Sequence, residues 1–419
     1  MSAPASGCTT DLVCLLCGRH VPYGNVQTCP ACGPEGILDV RYDYDCVART
    51  MTRESLEGRS RDHWRYAELL PVSPASAKPR LHIGWTPVYE VPRLAKELGA
   101  GRLFLKDDGR NPTSSFKDRA SSVAVMKALE FGARTVACAS TGNAASSLAG
   151  LSASVGIRSV IFLPERAPEP KVTQLLVFGA AVVKVRGTYE QAFDLCRSAC
   201  GKFGWYNRNS GTNPFCVEGK KTAGLEIAEQ FGSSVPDWVV VSVGDGCTIG
   251  GIGKGLDEML HLGFIPRLPR LLGVQAECAR PIVNAFESGS DLVPTSAETI
   301  ADSIAVGTPR NWRRALAGIK KSGGSMIAVP DGEILDAIRI TARLGGVFGE
   351  PAGVAGVAGL RRAIISGVIG SDESVLVVIT GNGLKDIDSA RRAAGEPISI
   401  APEISSLEKA LAQRGDAIP

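Results

Sequence analysis

The stretch VVVSVGDGCTIGG, residues 239–251, establishes the fold class of this chain of 419 residues. Its apolar start is typical of a buried parallel strand, and a glycine-rich polar turn follows directly. We predict that a helix begins at about Ile252. Successive N–H groups in such a turn can converge on a phosphate at a helix N-terminus, although glycines also serve plain tight turns. The stretch matches neither the dinucleotide nor the nucleoside-triphosphate motif, which weakens both ligand classes.

Similar short apolar runs alternate with helical stretches rich in Ala and Leu from Gly84 onward. The runs are residues 103–105, 135–137, 160–163, 181–185 and 375–379. Strands and helices that alternate in this way predict an α/β fold whose parallel strands are covered on both faces. The length allows two or three domains, and ligands are expected at the carboxyl ends of the strands.

Composition and charge exclude several classes of protein. The 46 Lys and Arg residues exceed the 43 Asp and Glu residues by only 3, so nothing favours a nucleic-acid partner. No apolar run approaches the roughly 18 residues of a membrane span, and the first residues lack a signal-peptide pattern. We therefore expect a cytoplasmic protein with no membrane segment. In a reducing compartment its 12 cysteines should be thiols or metal ligands.

Two Cys-x-x-Cys pairs near the start, with eleven residues between them, predict a zinc ribbon. Gly18 and Gly33 directly follow the pairs and permit the positive φ that such turns require. Four thiolates leave no open coordination position, so the zinc would be structural. Chance pairs, or a site that has lost its metal, are the alternative. The predicted ligands are Cys14, Cys17, Cys29 and Cys32.

The segment NPTSSFKDR, residues 111–119, carries a lysine at the start of a predicted helix. Small hydroxyl residues surround Lys117, and burial together with the positive end of the helix can remove its proton. A neutral lysine amine is a nucleophile that can form a Schiff base with an aldehyde. The alternative is a surface lysine that is paired with Asp118.

The segment ACASTGNAAS, residues 137–146, also leads from a predicted strand into an Ala-rich helix. Its small polar residues can form a second anion cradle, sized for a carboxylate. Taken alone, Ser and Thr at such a place are more commonly helix N-caps.

One cofactor suits all three loops together. Pyridoxal phosphate needs an anchor for its phosphate, a lysine for its aldehyde and a carboxylate cradle for its amino-acid substrate. A fourth strand end, VITGNGLKD at residues 378–386, offers the Thr380 hydroxyl to the ring nitrogen. A neutral hydroxyl cannot keep that nitrogen protonated, so the ring would be a weaker electron sink. This favours elimination and replacement at the β carbon over transamination.

Six motifs, in the same order, resemble the threonine synthase family of fold-type II pyridoxal-phosphate enzymes. The resemblance runs from about residue 80 to residue 395, and some family members also carry an N-terminal zinc ribbon. The motifs are GWTP at 84–87, NPTSSFKDR at 111–119, STGN at 140–143, NPFCVEGKKT at 213–222, EPA at 350–352 and TGNGLKD at 380–386.

The resemblance implies a two-lobed α/β fold of the tryptophan synthase β type, with the cofactor between the lobes. Relatives are commonly dimers, so we expect a homodimer that acts on a small amino-acid substrate. The expected segments are a zinc ribbon (1–45), a connecting arm (46–80), a large cofactor-binding lobe (81–129 and 216–400), a small mobile lobe (130–215) and a C-terminal tail (401–419).

The resemblance also implies roles for individual residues. Lys117 would hold the cofactor through a Schiff base and would move protons during the reaction. The other cofactor-binding residues would be Phe116, Asn143, Gly244, Asp245, Gly246, Cys247, Thr248 and Thr380. The substrate-binding residues would be Ser115, Ser140, Thr141, Gly142, Asn209 and Ser210.

The implied reaction converts O-phospho-L-homoserine and water to L-threonine and phosphate, and it needs a second anion pocket for the γ-phosphate. Family members usually carry an arginine where this chain has Cys216. Loss of that bidentate contact removes about 1.5 to 3 kcal/mol of binding unless Arg110, Arg208 or Lys220 compensates. Ser114 also departs from the family, because glycine is common at its position.

Three other functions are compatible with the sequence. Cys216 and Cys247 suit β-replacement on O-phosphoserine, as in cysteate synthase, or ammonia release from threonine or serine. The third is a zinc-ribbon protein that keeps the fold only as a binding scaffold, although a scaffold has no need of a desolvated Lys117. A serine or cysteine hydrolase is disfavoured, because no His lies in a glycine-rich loop and no G-x-S-x-G elbow is present.

Overall fold

The first described residues form a small antiparallel sheet. A computed structural model describes residues 7–165, 167 and 169–414. The strands of this sheet are β1 (Thr9–Cys14), β2 (His20–Val21) and β3 (Leu38–Tyr42), and they lie in the order β2-β1-β3. Gly18 and Gly33, at φ +71° and +61°, take the left-handed conformation that the sequence predicts after each cysteine pair. We call residues 7–42 the ribbon.

Two short helices and a 3-10 segment follow, where the sequence predicts a connecting arm. The side chains of Asp43 and Thr52 cap the two helices by accepting hydrogen bonds from backbone N–H groups. Arg65 pairs with Glu229 at 2.7 Å, so the arm is fixed to the body of the protein. The elements are α1 (Tyr44–Thr50), α2 (Arg53–Glu57) and the 3-10 segment His63–Leu69.

The expectation that all cysteines are thiols or metal ligands is wrong for one pair. Cys8 and Cys46 form a disulfide in the structure. The N–H of Asp43 donates to the carbonyl of Cys8 at 2.9 Å, which brings the start of β1 beside the start of α1. This contact joins positions far apart in the sequence, so the spacing of the cysteines could not reveal it. The ten other cysteines are free.

The remaining strands form two larger sheets. In chain order they are β4 (Val88–Glu90), β5 (Arg102–Asp107), β6 (Thr135–Ala139), β7 (Arg158–Pro164), β8 (Ala181–Val185), β9 (Tyr206–Asn207), β10 (Trp238–Ser242), β11 (Arg270–Ala276), β12 (Ser325–Val329) and β13 (Ser374–Ile379). The large sheet has the order β12-β11-β10-β13-β5-β4 and the small sheet the order β8-β7-β6-β9. The pairing of β4 with β5 is antiparallel, and the other pairs in these two sheets are parallel.

Helices connect these strands and cover the sheets. They are α3 (Pro92–Leu98), α4 (Lys117–Glu130), α5 (Asn143–Val155), α6 (Glu169–Val177), α7 (Tyr189–Phe203), α8 (Pro214–Phe231), α9 (Cys247–His261), α10 (Pro281–Ser288), α11 (Trp312–Lys321), α12 (Asp331–Gly345), α13 (Pro351–Ile365), α14 (Ile387–Ala394) and α15 (Ile404–Arg414). Among the described helices, none has the length and apolar composition that a membrane crossing requires.

The α/β fold with parallel sheets is confirmed, and the predicted apolar runs coincide with β5, β6, β7, β8, β10 and β13. The strands of the small sheet lie between residues 135 and 207, inside the predicted small lobe. Those of the large sheet come from both flanking segments, because the chain leaves the large sheet after β5 and returns at β10. The limits of the lobes stay a prediction.

The predicted helix start at Ile252 is wrong, because α9 begins five residues earlier, at Cys247. Gly246 ends the turn at φ +92°. Gly251 lies inside the helix, where a Cβ atom would stand only 3.0 Å from the Cβ of Lys220 in α8. Some glycines of this stretch therefore serve close packing of two helices and not the turn.

Candidate active site

A cavity of about 830 Å³ lies at the carboxyl ends of strands from the large sheet and from the small sheet. Three helices begin at its wall, α4 with Lys117, α5 with Asn143 and α9 with Cys247. The first N–H groups of a helix have no carbonyl partner within it, and the helix dipole places partial positive charge there. The cavity is therefore suited to hold anions.

The loop that leads to Lys117 at the start of α4 is held by the loop after β13. The N–H of Phe116 donates to the carbonyl of Thr380 at 2.8 Å, and that of Asn382 donates to the carbonyl of Ser114 at 3.0 Å. Ser114 lies at φ +64°, in the left-handed region that favours glycine. This conformation explains why glycine suits the position.

The amine of Lys117 makes no hydrogen bond or ion pair with any described residue. Burial, reinforced by the nearby charges of Lys220 and Arg208, lowers the pKa of Lys117 to about 8. Asp118 does not pair with this amine, because its carboxylate accepts hydrogen bonds from the backbone and the hydroxyl of Thr113, at 2.7 and 2.5 Å. The alternative of a surface lysine paired with Asp118 is therefore wrong.

The glycine-rich loop 244–248 lines the cavity at the start of α9. A Cβ atom on Gly246 would lie 2.6 Å from the carbonyl oxygen of Asn311, so only glycine fits there. The carboxylate of Asp245 accepts from the N–H of Arg310 at 2.8 Å and from Nδ2 of Asn311 at 3.2 Å. Asp245 therefore braces the loop, and the backbone is left to face an anion.

The loop between β6 and α5 supplies the second predicted cradle. Ser140, Thr141 and Gly142 line the cavity, and the Oγ of Ser140 accepts from the N–H of Gly142 at 3.2 Å. The N–H of Ser140 donates to the carbonyl of Phe162 at 3.0 Å, which fixes the loop to β7. The helix α5 then begins at Asn143, and no side chain caps its N-terminus.

Asn143 and Glu350 form a pair at the wall of the cavity. The Nδ2 of Asn143 donates to Oε1 of Glu350 at 2.6 Å. Burial, with a smaller contribution from Asp302, raises the pKa of Glu350 to about 7. The sequence showed Glu350 only as part of a family motif, although a Glu-Pro pair before an apolar helix is a recognisable helix start.

Two buried cations, Arg208 and Lys220, also line the cavity. The guanidinium of Arg208 donates to the Oγ of Ser121 at 2.9 and 3.1 Å and to the Oγ of Ser210 at 2.8 Å. The structure shows no ion pair for either cation among the described residues. An arginine bound only by hydroxyl groups can still take a bidentate anion.

Cys216 and Asn209 hold the backbone around this region in place. The Sγ of Cys216 donates to the carbonyl of Arg208 at 3.3 Å, and Cys216 does not line the cavity. The Oδ1 of Asn209 accepts from the N–H of Ala139 at 3.0 Å, so it joins the end of β9 to the end of β6. Cys216, where the resemblance to the family leads us to expect an arginine, thus holds the backbone of Arg208.

Most of the predicted site residues come together at the cavity. Ser115 and Phe116 do not line it, because the bridge of Ser115 to Gly381 buries both residues between two loops. The segment 295–310 lines the mouth and carried no signal in the sequence. The predicted residues at the wall are Lys117, Ser140, Thr141, Gly142, Asn143, Asn209, Ser210, Gly244, Asp245, Gly246, Cys247, Thr248 and Thr380.

The four cysteines of the ribbon form a separate cluster, in which all Sγ atoms lie within 4.8 Å of one another. Cys14 and Cys32 are 4.0 Å apart at sulfur, and Cys17 and Cys29 are 3.9 Å apart. Tetrahedral zinc with Zn–S bonds near 2.3 Å separates its sulfurs by about 3.8 Å. The donor set and its spacing therefore fit one zinc ion.

Comparison with known proteins identifies the class. The family model described as "Pyridoxal-phosphate dependent enzyme" matches residues 79–381. The chain belongs to this family. Similar solved structures include threonine deaminase isoform 2 from Solanum lycopersicum, with TM-score 0.64 at 21% identity over 74% of this chain and 87% of that chain. Maize serine racemase is also similar, with TM-score 0.63 at 20% identity over 79% of this chain and 93% of that chain. These likenesses confirm the two-lobed fold.

Curated relatives identify the branch of the family. Threonine synthase of Methanocaldococcus jannaschii is 40% identical over 95% of this chain and 98% of its own length. Threonine synthase of Methanosarcina acetivorans is 42% identical over 96% of this chain and 98% of its own length. The protein is therefore a pyridoxal-phosphate dependent lyase of the threonine synthase family. This confirms the resemblance found in the motifs, and the scaffold alternative is wrong.

The raised pKa of Glu350 predicts a dependence of stability on pH in the cofactor-free protein. A carboxyl whose pKa rises on folding contributes stability that is lost as the pH increases through the folded value, here about 7. Between pH 5 and pH 8.5 the free energy of unfolding of the wild type should fall relative to Glu350→Gln by about 1 to 3 kcal/mol. Urea denaturation measures this difference. The exposed Glu190→Gln is the control, and equal pH profiles for wild type and Glu350→Gln would contradict the prediction.

Proposed function

We propose that the protein is a threonine synthase that converts O-phospho-L-homoserine and water to L-threonine and phosphate. The observation that carries this proposal is the pair of buried cations, Arg208 and Lys220, at the wall of the Lys117 cavity. A substrate that brings a dianionic phosphate to this point neutralises charge that the protein leaves unpaired.

The cavity fits the cofactor of the family. The backbone of loop 244–248 and the start of α9 would hold its phosphate, Asn143 and Thr380 would contact the ring, and Lys117 would take its aldehyde. The start of α9 supports this assignment, because no side chain caps it at Gly246 and the loop before it lines the cavity. When bound, pyridoxal phosphate supplies a ring that withdraws electrons from the Cα of an amino acid.

Lys117 would move the protons. Its Nζ has a pKa of about 8, so at neutral pH a useful fraction is unprotonated and can accept a proton from Cα and then from Cβ of the substrate. The nearby cations favour the neutral amine. The same amine would return one proton to Cγ after the bond from Cγ to the phosphate oxygen has broken, and another to Cα after water has added at Cβ.

The two anionic ends of the substrate would be bound by different elements. The carboxylate faces Ser140, Thr141 and the N–H groups at the start of α5. The phosphate faces Arg208 and Lys220, which together replace the arginine expected at Cys216. These cations also stabilise the phosphate as it leaves, since negative charge accumulates on its oxygens.

Contacts across the mouth of the cavity support a role for lobe closure. Lys171 of α6 forms an ion pair with Asp302, and the guanidinium of Arg310 lies 4.2 Å from the ring centroid of Phe193 in α7. Each contact joins the small-sheet region to the segment 295–310. We propose that they hold the lobes together while a reactive intermediate must be kept from water.

Replacement of Lys117 tests the proton carrier. Lys117→Ala should lose all measurable turnover and the visible absorption of covalently held cofactor, because Lys220, the other lysine at the wall, is assigned to the substrate phosphate and not to the cofactor aldehyde. Its far-UV circular dichroism should match the wild type. The same change at exposed Lys202 serves as control. Retained turnover in Lys117→Ala would remove this amine from the mechanism.

Replacement of the unpaired arginine tests the substrate. Arg208→Gln should raise KM for O-phospho-L-homoserine about 10- to 150-fold, because one charge-assisted contact to phosphate is lost. The measurement is release of phosphate with an equal amount of threonine. Arg158→Gln, at an exposed arginine of β7, is the matched control.

A substrate panel with the same variants separates the alternatives. If O-phosphoserine with sulfite, or free threonine, turns over faster than O-phospho-L-homoserine, the proposed reaction is wrong. If Arg208→Gln leaves KM unchanged, the assignment of the phosphate pocket is wrong.

We also propose that the ribbon holds one structural zinc ion. Elemental analysis should find one zinc per chain after dialysis, and Cys29→Ser should lower the melting temperature while turnover at saturating cofactor persists. Cys278→Ser, at an exposed free cysteine, is the control. Absence of metal in freshly purified protein would contradict the proposal.

The homodimer and the cytoplasmic location stay predictions. Analytical ultracentrifugation would measure whether the protein is a dimer.

A further inference from the structure

The ribbon reaches into the body of the protein through strand β3. The carboxylate of Asp39 pairs with Lys254 of α9 at 3.0 Å and also with Arg314 of α11. Arg314 donates from Nη2 to the carbonyl of Leu38 at 2.8 Å. These contacts join the ribbon to two helices whose N-terminal ends lie beside loop 244–248.

Burial favours a neutral carboxyl at Asp39, but the charges of Lys254 and Arg314 outweigh it and hold the pKa of Asp39 well below its usual range. The carboxylate is therefore charged at neutral pH. Both of its cationic partners are mostly buried as well, with 12% and 6% of their side chains exposed. Such a group has a well-defined geometry, because a shift of Asp39 would leave the buried charge of Arg314 without its carboxylate partner.

From Arg314 the contacts continue to the loop itself. The Nε of Arg314 donates to Oδ1 of Asn311 at 3.4 Å. Asn311 donates from its backbone N–H to the carbonyl of Asp245 at 3.0 Å and from Nδ2 to the carboxylate of Asp245 at 3.2 Å. Arg314 also packs on α9, where a Cβ on Gly250 would lie 2.7 Å from its Cγ.

We propose that Asp39 is a positioning residue for the cofactor phosphate: through Arg314 and Asn311 the ribbon holds loop 244–248 in its anion-binding form. This inference rests on the proposed assignment of that loop to the phosphate. It gives the ribbon a role in cofactor affinity beside its role in stability. Asp39 does not line the cavity, so its effect must pass through its partners on the helices α9 and α11.

The test compares two ligands that differ only in the phosphate. The dissociation constants of pyridoxal phosphate and of pyridoxal are measured by absorbance titration of cofactor-free protein. Asp39→Asn should lower the preference for pyridoxal phosphate over pyridoxal about 2- to 30-fold, the usual range for a residue that acts through intermediates. A general loss of structure would weaken both ligands alike and leave the preference unchanged.

Asp11→Asn is the matched control, because Asp11 lies in the same ribbon but pairs with His20 within it. Arg314→Lys breaks the middle of the chain of contacts while it keeps the charge, and it decides the question if Asp39→Asn does not fold. In a double-mutant cycle the two changes should not add, because both act on the same contact.

Two results would overturn the inference alone, and a third would overturn it together with the assignment of loop 244–248. One is an unchanged preference in both Asp39→Asn and Arg314→Lys while the wild type prefers pyridoxal phosphate, which leaves the proposed function intact. The other is an equal loss of preference in Asp11→Asn. If the wild type itself shows no preference, the assignment of loop 244–248 to the phosphate fails, and the inference fails with it.

Discussion

The constraint on which the site depends is positive charge that has no ion-pair partner. Lys117, Arg208 and Lys220 meet at one cavity where three helices begin, and the structure shows no ion pair for them among the described residues. A buried cation without a counterion costs several kcal/mol, so the rest of the fold must hold these groups in place until anions complete the site. A cofactor phosphate and a phosphorylated amino acid are anions of the required kind.

Elsewhere in the body the buried cations are paired. Lys221, the neighbour of Lys220 in α8, lies 2.7 Å from Glu218 and 2.9 Å from Glu258. Arg119, two residues after Lys117, is bound by Asp108 and Glu226, at 2.6 and 2.5 Å. Adjacent positions on one helix thus serve opposite purposes, since one side chain stabilises the interior and the other is left for a ligand. This contrast locates the site more sharply than charge alone.

Much of the fold and of the site could be predicted from local pattern. Buried parallel strands read as apolar runs, and loops that follow them carry small polar residues, so β10, loop 244–248 and Lys117 were recognised. The start of α9 was placed too late, because glycines that allow close helix packing look the same in sequence as glycines of a turn. The disulfide between Cys8 and Cys46 was missed, since the contact that creates it joins β1 to α1.

Residue type and spacing indicate the α/β class, the candidate lysine and the cluster of four cysteines, because each depends on neighbours within a few positions, and the motifs add the resemblance to the family. The packing of segments that are distant in the sequence determines other features of the site. It ties the carboxylate of Asp245 to the N–H of Arg310, raises the pKa of Glu350 to about 7, and sets Arg208 at the cavity in place of an arginine at Cys216. Burial and long-range electrostatics set these properties, and both depend on which segments meet in space.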